Sequence, residues 1–365
     1  MSNDARTAAP TDPKPTSLPH LAATAADLPE VISGVVPDPR TAPTVRWGIL
    51  GAGNIAGSFA EAVRDHTRAR VVAVGSRDRV RAERFATEHG IHTTHADYTE
   101  LVEDPQVDVV YVATPHSHHR DHALLAIAAG KHVLVEKAFT RNEAEAREIL
   151  DAARAAGVFV MEAMWTRFLP HVAALRGVIA RGEIGEIVNV TADHGQFFPF
   201  DPAHRLYAPE LAGGALLDLG VYPVSFAHDV LGAPSSVAAV GALTETGVDG
   251  QLGITLGYGR AMATLSTTLW SQTPNVASIS GTAGRIEVEG TFYAPTSFRV
   301  VRHDGAEWRY EGFRGEGKQY QAAEVARCLE AGLTESPRMT WQDTLDVMRT
   351  MDEVRRQTGV VYPGE

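Results

Sequence analysis

Val45-Arg46-Trp47-Gly48-Ile49-Leu50 runs straight into Gly51-Ala52-Gly53-Asn54-Ile55-Ala56. A short apolar strand ends in G-x-G-x-x-A and opens an amphipathic helix, with Phe59, Ala60 and Val63 at helical spacing. Gly51 makes the tight turn, Gly53 lets backbone N–H groups approach a pyrophosphate, and the small Ala56 lets helix pack on strand. Ala52, Asn54 and Ile55 complete the turn, where the helix N-terminus offers unpaired donors and the positive end of its dipole. A glycine turn alone is a weak signal. Strand, turn and helix in this order specify a dinucleotide site.

The next strand, Arg70-Val71-Val72-Ala73-Val74-Gly75, ends at Ser76-Arg77-Asp78. A dehydrogenase selective for NAD places a carboxylate here, about 20 residues past the glycine turn, for the ribose 2′-hydroxyl. Ser76 and Arg77 instead suit a 2′-phosphate, Arg77 with a planar fork of donors, so NADP is expected over NAD. Asp78 could still reach the ribose. Val107 to Ala113 is a continuous apolar strand ending at Thr114-Pro115-His116-Ser117-His118-His119. His118 and His122 stand four apart, but no third ligand accompanies them. No metal is expected, and these histidines are expected to line a nicotinamide pocket or cap the helix. His132 to Val135 is the next strand, ending at Glu136-Lys137, and Asn142 to Glu145 has the spacing of a capping box. Alternating strands and helices specify a doubly wound parallel sheet.

Beyond about Phe168 the alternation gives way to half-polar runs separated by glycine-containing turns: Glu186 to Asp193, Ser236 to Thr244, Gly250 to Gly257, Arg260 to Thr268, Asn275 to Gly281, Gly284 to Gly290 and Ser297 to Arg302. The expected fold is therefore α/β: an N-terminal Rossmann sheet plus a C-terminal α+β domain with a large, mostly antiparallel open sheet. Residues 45–166 would bind the cofactor, and residues 167–365 would bind substrate and dimerise. An apolar free sheet face calls for cover by a second copy, so at least a homodimer is expected.

The 365 residues exceed a typical single core and suit two domains. A formal charge of −12 argues against nucleic acid or an anionic membrane as the main partner. Cys328 is the only cysteine, which excludes an intramolecular disulfide and a cysteine-based zinc site. No apolar run reaches membrane-span length. Residues 1–44, rich in Pro, Ala, Thr and Asp, lack a signal-peptide pattern. They read as a disordered extension, or as an arm docking Leu28, Val31, Ile32, Val35 and Val36 on a neighbouring subunit. Cytoplasmic residence is the default expectation.

Two elements carry chemistry. Lys137 ends an apolar strand on the carboxyl side of the sheet, where ligands of open α/β sheets bind. In Gly213-Gly214-Ala215-Leu216-Leu217-Asp218-Leu219-Gly220-Val221-Tyr222, Asp218 and Tyr222 share one helix face. The two glycines would admit close backbone approach. An ammonium beside Tyr222 would favour the phenolate, and Lys137 is the cation available.

At these residues the chain resembles the glucose–fructose oxidoreductase, inositol dehydrogenase and MocA-like (Gfo/Idh/MocA) family of nicotinamide oxidoreductases. The resemblance runs from Val45 to Glu365 and rests on the glycine turn, Thr114-Pro115 with His119, Glu136-Lys137 and the run ending at Tyr222. Met161 to Pro170 and the tail, Gly359 to Pro363, look like the dimeric dihydrodiol dehydrogenase and NADP-dependent D-xylose dehydrogenase branch. The resemblance implies that Lys137 and Tyr222 are catalytic, that Asp218 positions substrate, and that Trp165 and Arg167 lie at the nicotinamide and substrate pocket. It implies an aldose or diol substrate and hydride transfer. Alternatives are an oxidoreductase that holds its cofactor and cycles two sugars, or a cofactor-binding regulator without turnover. Ala138 replaces the usual proline after Glu-Lys, and Ala212 the first of three glycines.

Overall fold

The computed structural model describes residues 36–365. Its first sheet holds β1 (Arg46–Leu50), β2 (Arg70–Gly75), β3 (Thr93–His95), β4 (Val109–Val112), β5 (His132–Glu136) and β6 (Val160–Ala163), in the order β3-β2-β1-β4-β5-β6. Every neighbouring pair is parallel. Connecting helices are α1 (Asn54–His66), α2 (Arg79–His89), α3 (Tyr98–Glu103), α4 (His119–Ala128) and α5 (Glu143–Ala156). All four β4 residues are buried, as a strand covered on both faces must be. Phe59 pins α1 to the sheet, edge-on to Trp47 at 5.0 Å and stacked on Tyr111 at 4.0 Å. Strand order reverses between β1 and β4, which opens a crevice at their carboxyl ends.

Helix α5 starts as half of the expected capping box. Asn142 accepts from the Glu145 N–H at 2.9 Å, while the Glu145 carboxylate turns to the Arg141 guanidinium instead of back to the cap.

The second sheet holds β7 (Ile187–Gly195), β8 (Ser236–Leu243), β9 (Asp249–Tyr258), β10 (Ala261–Thr268), β11 (Ala277–Gly281), β12 (Gly284–Val288), β13 (Phe298–Arg302) and β14 (Glu307–Tyr310). Their order is β14-β13-β12-β11-β7-β10-β9-β8, with β7 and β10 parallel and the other pairs antiparallel. After α6 (Pro170–Ala180), helix α7 (Val221–Leu231) covers β7 and helix α9 (Trp341–Thr358) covers β8. The other face differs from the apolar surface expected. Thr255 pairs with Thr264, Thr264 with Thr191 and Thr191 with Ser278, so the bare centre is small and hydroxylic, with Val240 and Met262 as its large apolar groups.

The tail returns to the first sheet. Helix α8 (Lys318–Glu330) packs on α1, and α9 packs on α5 as well as β8. The Val160 N–H on edge strand β6 donates to Thr334 O at 3.1 Å, and the Trp341 indole donates to Val160 O at 2.9 Å. The expected extension reaches residue 44, and its residues 36–44 are seated: a turn at Pro39–Thr41 lies against α8, with Arg327 donating to Asp38 O at 2.9 Å. The remainder of that expectation falls outside the described residues. Among the described residues no helix is long and apolar enough to cross a membrane.

Candidate active site

One cleft of about 1070 Å³ runs from the carboxyl ends of β1 and β4 to the inner end of β7 and the start of α7. At its first end Gly51 adopts φ 102°, and a Cβ there would sit 2.8 Å from Ala113 O. A Cβ on Gly53 would meet nothing within 4 Å, and no side chain caps α1. The first N–H groups of this helix therefore face open space beside Ala52, Asn54 and Ile55, an arrangement that fits a pyrophosphate. Ser76, Arg77 and Asp78 line the same end. The Asp78 carboxylate is already engaged as the cap of α2, accepting from Arg81 N at 3.1 Å, which leaves the Arg77 guanidinium exposed for a phosphate. Arg81, which motif reading missed, lines this end too.

Thr114, Pro115 and His116 form the middle wall with Glu136 and Lys137. His116 sits between Ala212 O at 3.1 Å and Lys137 O at 3.2 Å, and burial pushes its imidazole down to about 3. His119 lies one layer behind, 2.7 Å from Thr114 O and 3.0 Å from Ala138 O, with burial lowering it to about 4. Each neutral ring has one N–H to donate to these carbonyls and so braces the loop after β5. Ala212 holds φ 53°, a left-handed strain of about 1–2 kcal/mol for a residue with a Cβ. The glycines after it are set by the protein's own packing: a Cβ on Gly213 would lie 2.6 Å from the carbonyls of Arg205 and Leu206, and one on Gly214 would lie 2.3 Å from the Asp249 carboxylate.

At the far end Leu216–Gly220 forms a π-helical turn that leads into α7 and carries Asp218 into the cleft with Tyr222. Lys137 Nζ donates to Asp218 O at 2.8 Å and approaches its carboxylate at 3.5 Å. Arg205 grips that carboxylate with two N–H groups, at 3.0 and 3.3 Å. Burial alone would raise the Asp218 carboxyl, but Lys137 and Arg205 hold it well below the usual carboxylate range. The Trp165 indole donates to the Tyr222 hydroxyl at 3.1 Å. Tyr222 stacks on Tyr293 at 4.6 Å, and His194 stacks on Tyr293 at 4.0 Å. Gln196 donates to the Tyr293 hydroxyl at 3.0 Å.

The expected tuning of Tyr222 is reversed in this geometry. Lys137 Nζ lies over the phenol ring, 5.1 Å from its centre, and is spent on Asp218. Burial, with the Glu136 and Asp218 carboxylates acting the same way, raises the Tyr222 phenol far above its ordinary value.

Residues 45–164 match the model of an oxidoreductase family with an NAD-binding Rossmann fold, and residues 172–287 match the Gfo/Idh/MocA C-terminal domain. The chain belongs to the Gfo/Idh/MocA oxidoreductase family. It is 38% identical to the NADP-dependent D-xylose 1-dehydrogenase of Hypocrea jecorina, over 88% of this chain and 93% of that protein. It is 39% identical to trans-1,2-dihydrobenzene-1,2-diol dehydrogenase of Sus scrofa, over 87% and 98% respectively. A 3-ketoreductase from Actinomadura kijaniata, solved with NADP, superposes with a TM-score of 0.76 at 27% identity, over 87% of this chain and 98% of that one. An aldose–aldose oxidoreductase from Caulobacter crescentus does so with the same TM-score at 26% identity and the same coverage.

Of the catalytic and cofactor-binding residues expected from the sequence, the cleft gathers all but His119, Trp165 and Arg167 into its lining. Trp165 still touches the site through Tyr222. Arg167 does not, a correction to its expected place at the pocket. It is buried behind the site, 3.3 Å from the Asp343 carboxylate and bonded to Ser225. Both residues lie on the 3-10 turn Trp165–Phe168, where side chains two apart diverge by about 120°. His194, Gln196, Arg205 and Tyr293 escaped sequence reading because three separate segments bring them together. His194 at the end of β7 and Gln196 just past it were the local signal.

Proposed function

We propose that this chain is an NADP-dependent dehydrogenase that oxidises a hydroxyl of an aldose of the D-xylose kind or of a cyclic trans-diol. One observation carries the reading: a Rossmann turn with an exposed Arg77 and the Lys137, Asp218 and Tyr222 cluster share a single cleft. The named activities of the xylose and dihydrodiol dehydrogenase relatives support it.

NADP, when bound, supplies the acceptor for the hydride leaving the substrate carbon. Gly53, the open end of α1, Ser76 and Arg77 would hold it. As the C–H bond yields hydride and the carbonyl forms, Tyr222 takes the proton of the reacting hydroxyl. Asp218, kept ionised by Lys137 and Arg205, accepts a hydrogen bond from a neighbouring substrate hydroxyl. Lys137 fixes the turn into α7, which carries both groups. In the reductive direction the phenol that burial keeps protonated serves as the acid.

Division of labour at about residue 166, a homodimer joined through the bare face of the second sheet, and a cytoplasmic setting where NADP circulates complete the proposal. Threonines and serines at the centre of that face permit close approach of a second sheet. The deciding experiment is a screen of aldoses and cyclic diols with NADP, following absorbance of the reduced nicotinamide. Steady turnover on a pentose or trans-diol is expected. A single burst of reduction without turnover would indicate a cofactor-retaining cycle, and binding without reduction would sink the assignment.

A further inference from the structure

Behind Tyr222 the protein ties its first helix to its eighth through polar groups far apart in sequence. Ser58 stands on α1 and lines the cofactor cleft. Its hydroxyl donates to one Glu316 oxygen at 2.8 Å and receives Lys318 Nζ at 2.9 Å. The other Glu316 oxygen accepts from Lys318 Nζ at 2.9 Å and from the backbone N–H groups of Gly317 and Lys318 at 2.9 and 3.1 Å, so this one carboxylate also caps the start of α8. Lys318 is buried, and its ammonium lies 4.6 Å from the centre of the Trp165 ring. Gly317 presses on the same indole: a Cβ there would stand 2.9 Å from it and 2.5 Å from Leu169. Trp165 in turn donates its only N–H to the Tyr222 hydroxyl.

We propose that Glu316 and Lys318 form a clamp that fixes the Trp165 indole against Tyr222 and registers both against the cofactor helix. They are positioning residues for the proton transfer, an inference that rests on Tyr222 being the acid–base group. The physical argument is one of buried directionality. The indole has a single donor and a broad apolar face, so packing alone leaves it free to slide in its plane. A desolvated ammonium over the ring and a glycine contact at its edge define its height and tilt. The ammonium itself is fixed by two oxygen contacts, one from Glu316 in the clamp segment and one from Ser58 on α1, with the ring as its third partner. Because Ser58 is part of the cleft wall, cofactor seated on α1 bears on the same linkage. The groups that face Tyr222 from the surrounding elements are Glu136, Asp218, Lys137, His194 and Tyr293. None of them donates a hydrogen bond to its hydroxyl, which leaves Trp165 as the donor seen there.

The test compares Lys318→Met, Lys318→Arg and Tyr222→Phe in the full-length protein, in turnover and in the indole N–H resonance of Trp165, assigned with Trp165→Phe. Losing one hydrogen bond to the reacting phenol should lower kcat in Lys318→Met about three- to tenfold and move the alkaline limb of its pH profile to higher pH. NADP affinity should stay within about twofold, since the phosphate contacts are untouched. Lys318→Arg, which keeps a cation over the ring, should recover most of kcat and the limb. A filler role would lower thermal stability without moving the limb or the resonance, and that result overturns the clamp. Near-normal turnover in Tyr222→Phe would instead overturn the acid–base reading. The clamp would then be judged on the resonance alone, which must move upfield in Lys318→Met and return in Lys318→Arg.

Discussion

Lys137 Nζ donates to the backbone carbonyl of Asp218 over 2.8 Å, so the strand end after β5 is bolted to the turn that launches α7. The bond joins the loop after β5 to that turn and sets the cation over the Tyr222 ring. Lys137 is thus as much a spacer between the first sheet and the start of α7 as a charge.

Tyr222→Phe removes the proposed acid–base oxygen and keeps the ring stack on Tyr293. Its kcat should fall by about 10²–10⁴, with NADP binding intact. Lys137→Met should be comparably harmful, and the double variant little worse than either, since groups that act as a unit are not additive. Steady-state kinetics of the three proteins decide this. A strictly multiplicative double variant would separate their roles.

The raised Tyr222 phenol gives the pH dependence its sign. Oxidation needs the deprotonated form, so its kcat/KM should still be climbing at about pH 10, the unperturbed tyrosine value. Glu136→Gln removes one of the negative charges that push the phenol up and should move the limb toward lower pH. A plateau near neutrality in the parent would identify a different base.

Arg77→Ala should remove a charge-assisted contact of about 1.5–3 kcal/mol, roughly ten- to hundredfold in NADP affinity. NAD, which lacks the 2′-phosphate, should bind almost unchanged. Fluorescence titration with both cofactors checks it, and equal losses would reassign Arg77 to the adenine or the fold.

Glu162 is buried on β6, accepts from Thr344 at 3.2 Å, and is pushed up to about 7 by burial against the opposing pull of Arg167. A carboxyl whose folded value is raised binds its proton more tightly in the native state. Its favourable contribution is complete below the unfolded value of about 4.3 and is lost as pH rises through 7. Glu162→Gln should therefore improve the thermal midpoint relative to the parent more at about pH 8 than at about pH 5. An advantage that shrinks with pH would show the carboxylate to be well paired.

Sedimentation at micromolar concentration should give a species of at least twice the 39.2 kDa chain mass. Thr264→Arg puts a large charge at the bare centre of the second sheet and should shift the population to monomer without lowering the thermal midpoint of the dilute protein. Unchanged sedimentation would move the interface elsewhere.

The parallel half was legible because burial on both faces leaves continuous apolar runs, as in Val107 to Ala113. β3 and β14 were not, since Thr93–His95 is short and polar and Glu307–Tyr310 is an exposed edge without alternation. Motifs found the cofactor turn, Lys137, Asp218 and Tyr222, whose chemistry is local. The Tyr222 environment was misjudged because the sequence names a nearby cation but not the burial, the Glu136 carboxylate or the prior claim of Asp218 on that cation. Arg167 was misplaced for a geometric reason: two residues beyond Trp165 in a 3-10 turn, its side chain points about 120° away from the indole.

Edge strand β6 owes its cover to residues that the ribosome makes much later, since Val160 bonds to Thr334 and receives the indole of Trp341. At roughly 5–20 residues per second, about 10–35 s pass between the emergence of that strand and of its cover. Throughout that interval a nascent sheet complete in its strands presents a bare edge to any passing chain. The first sheet is therefore closed at this edge only when nearly the whole chain has been made.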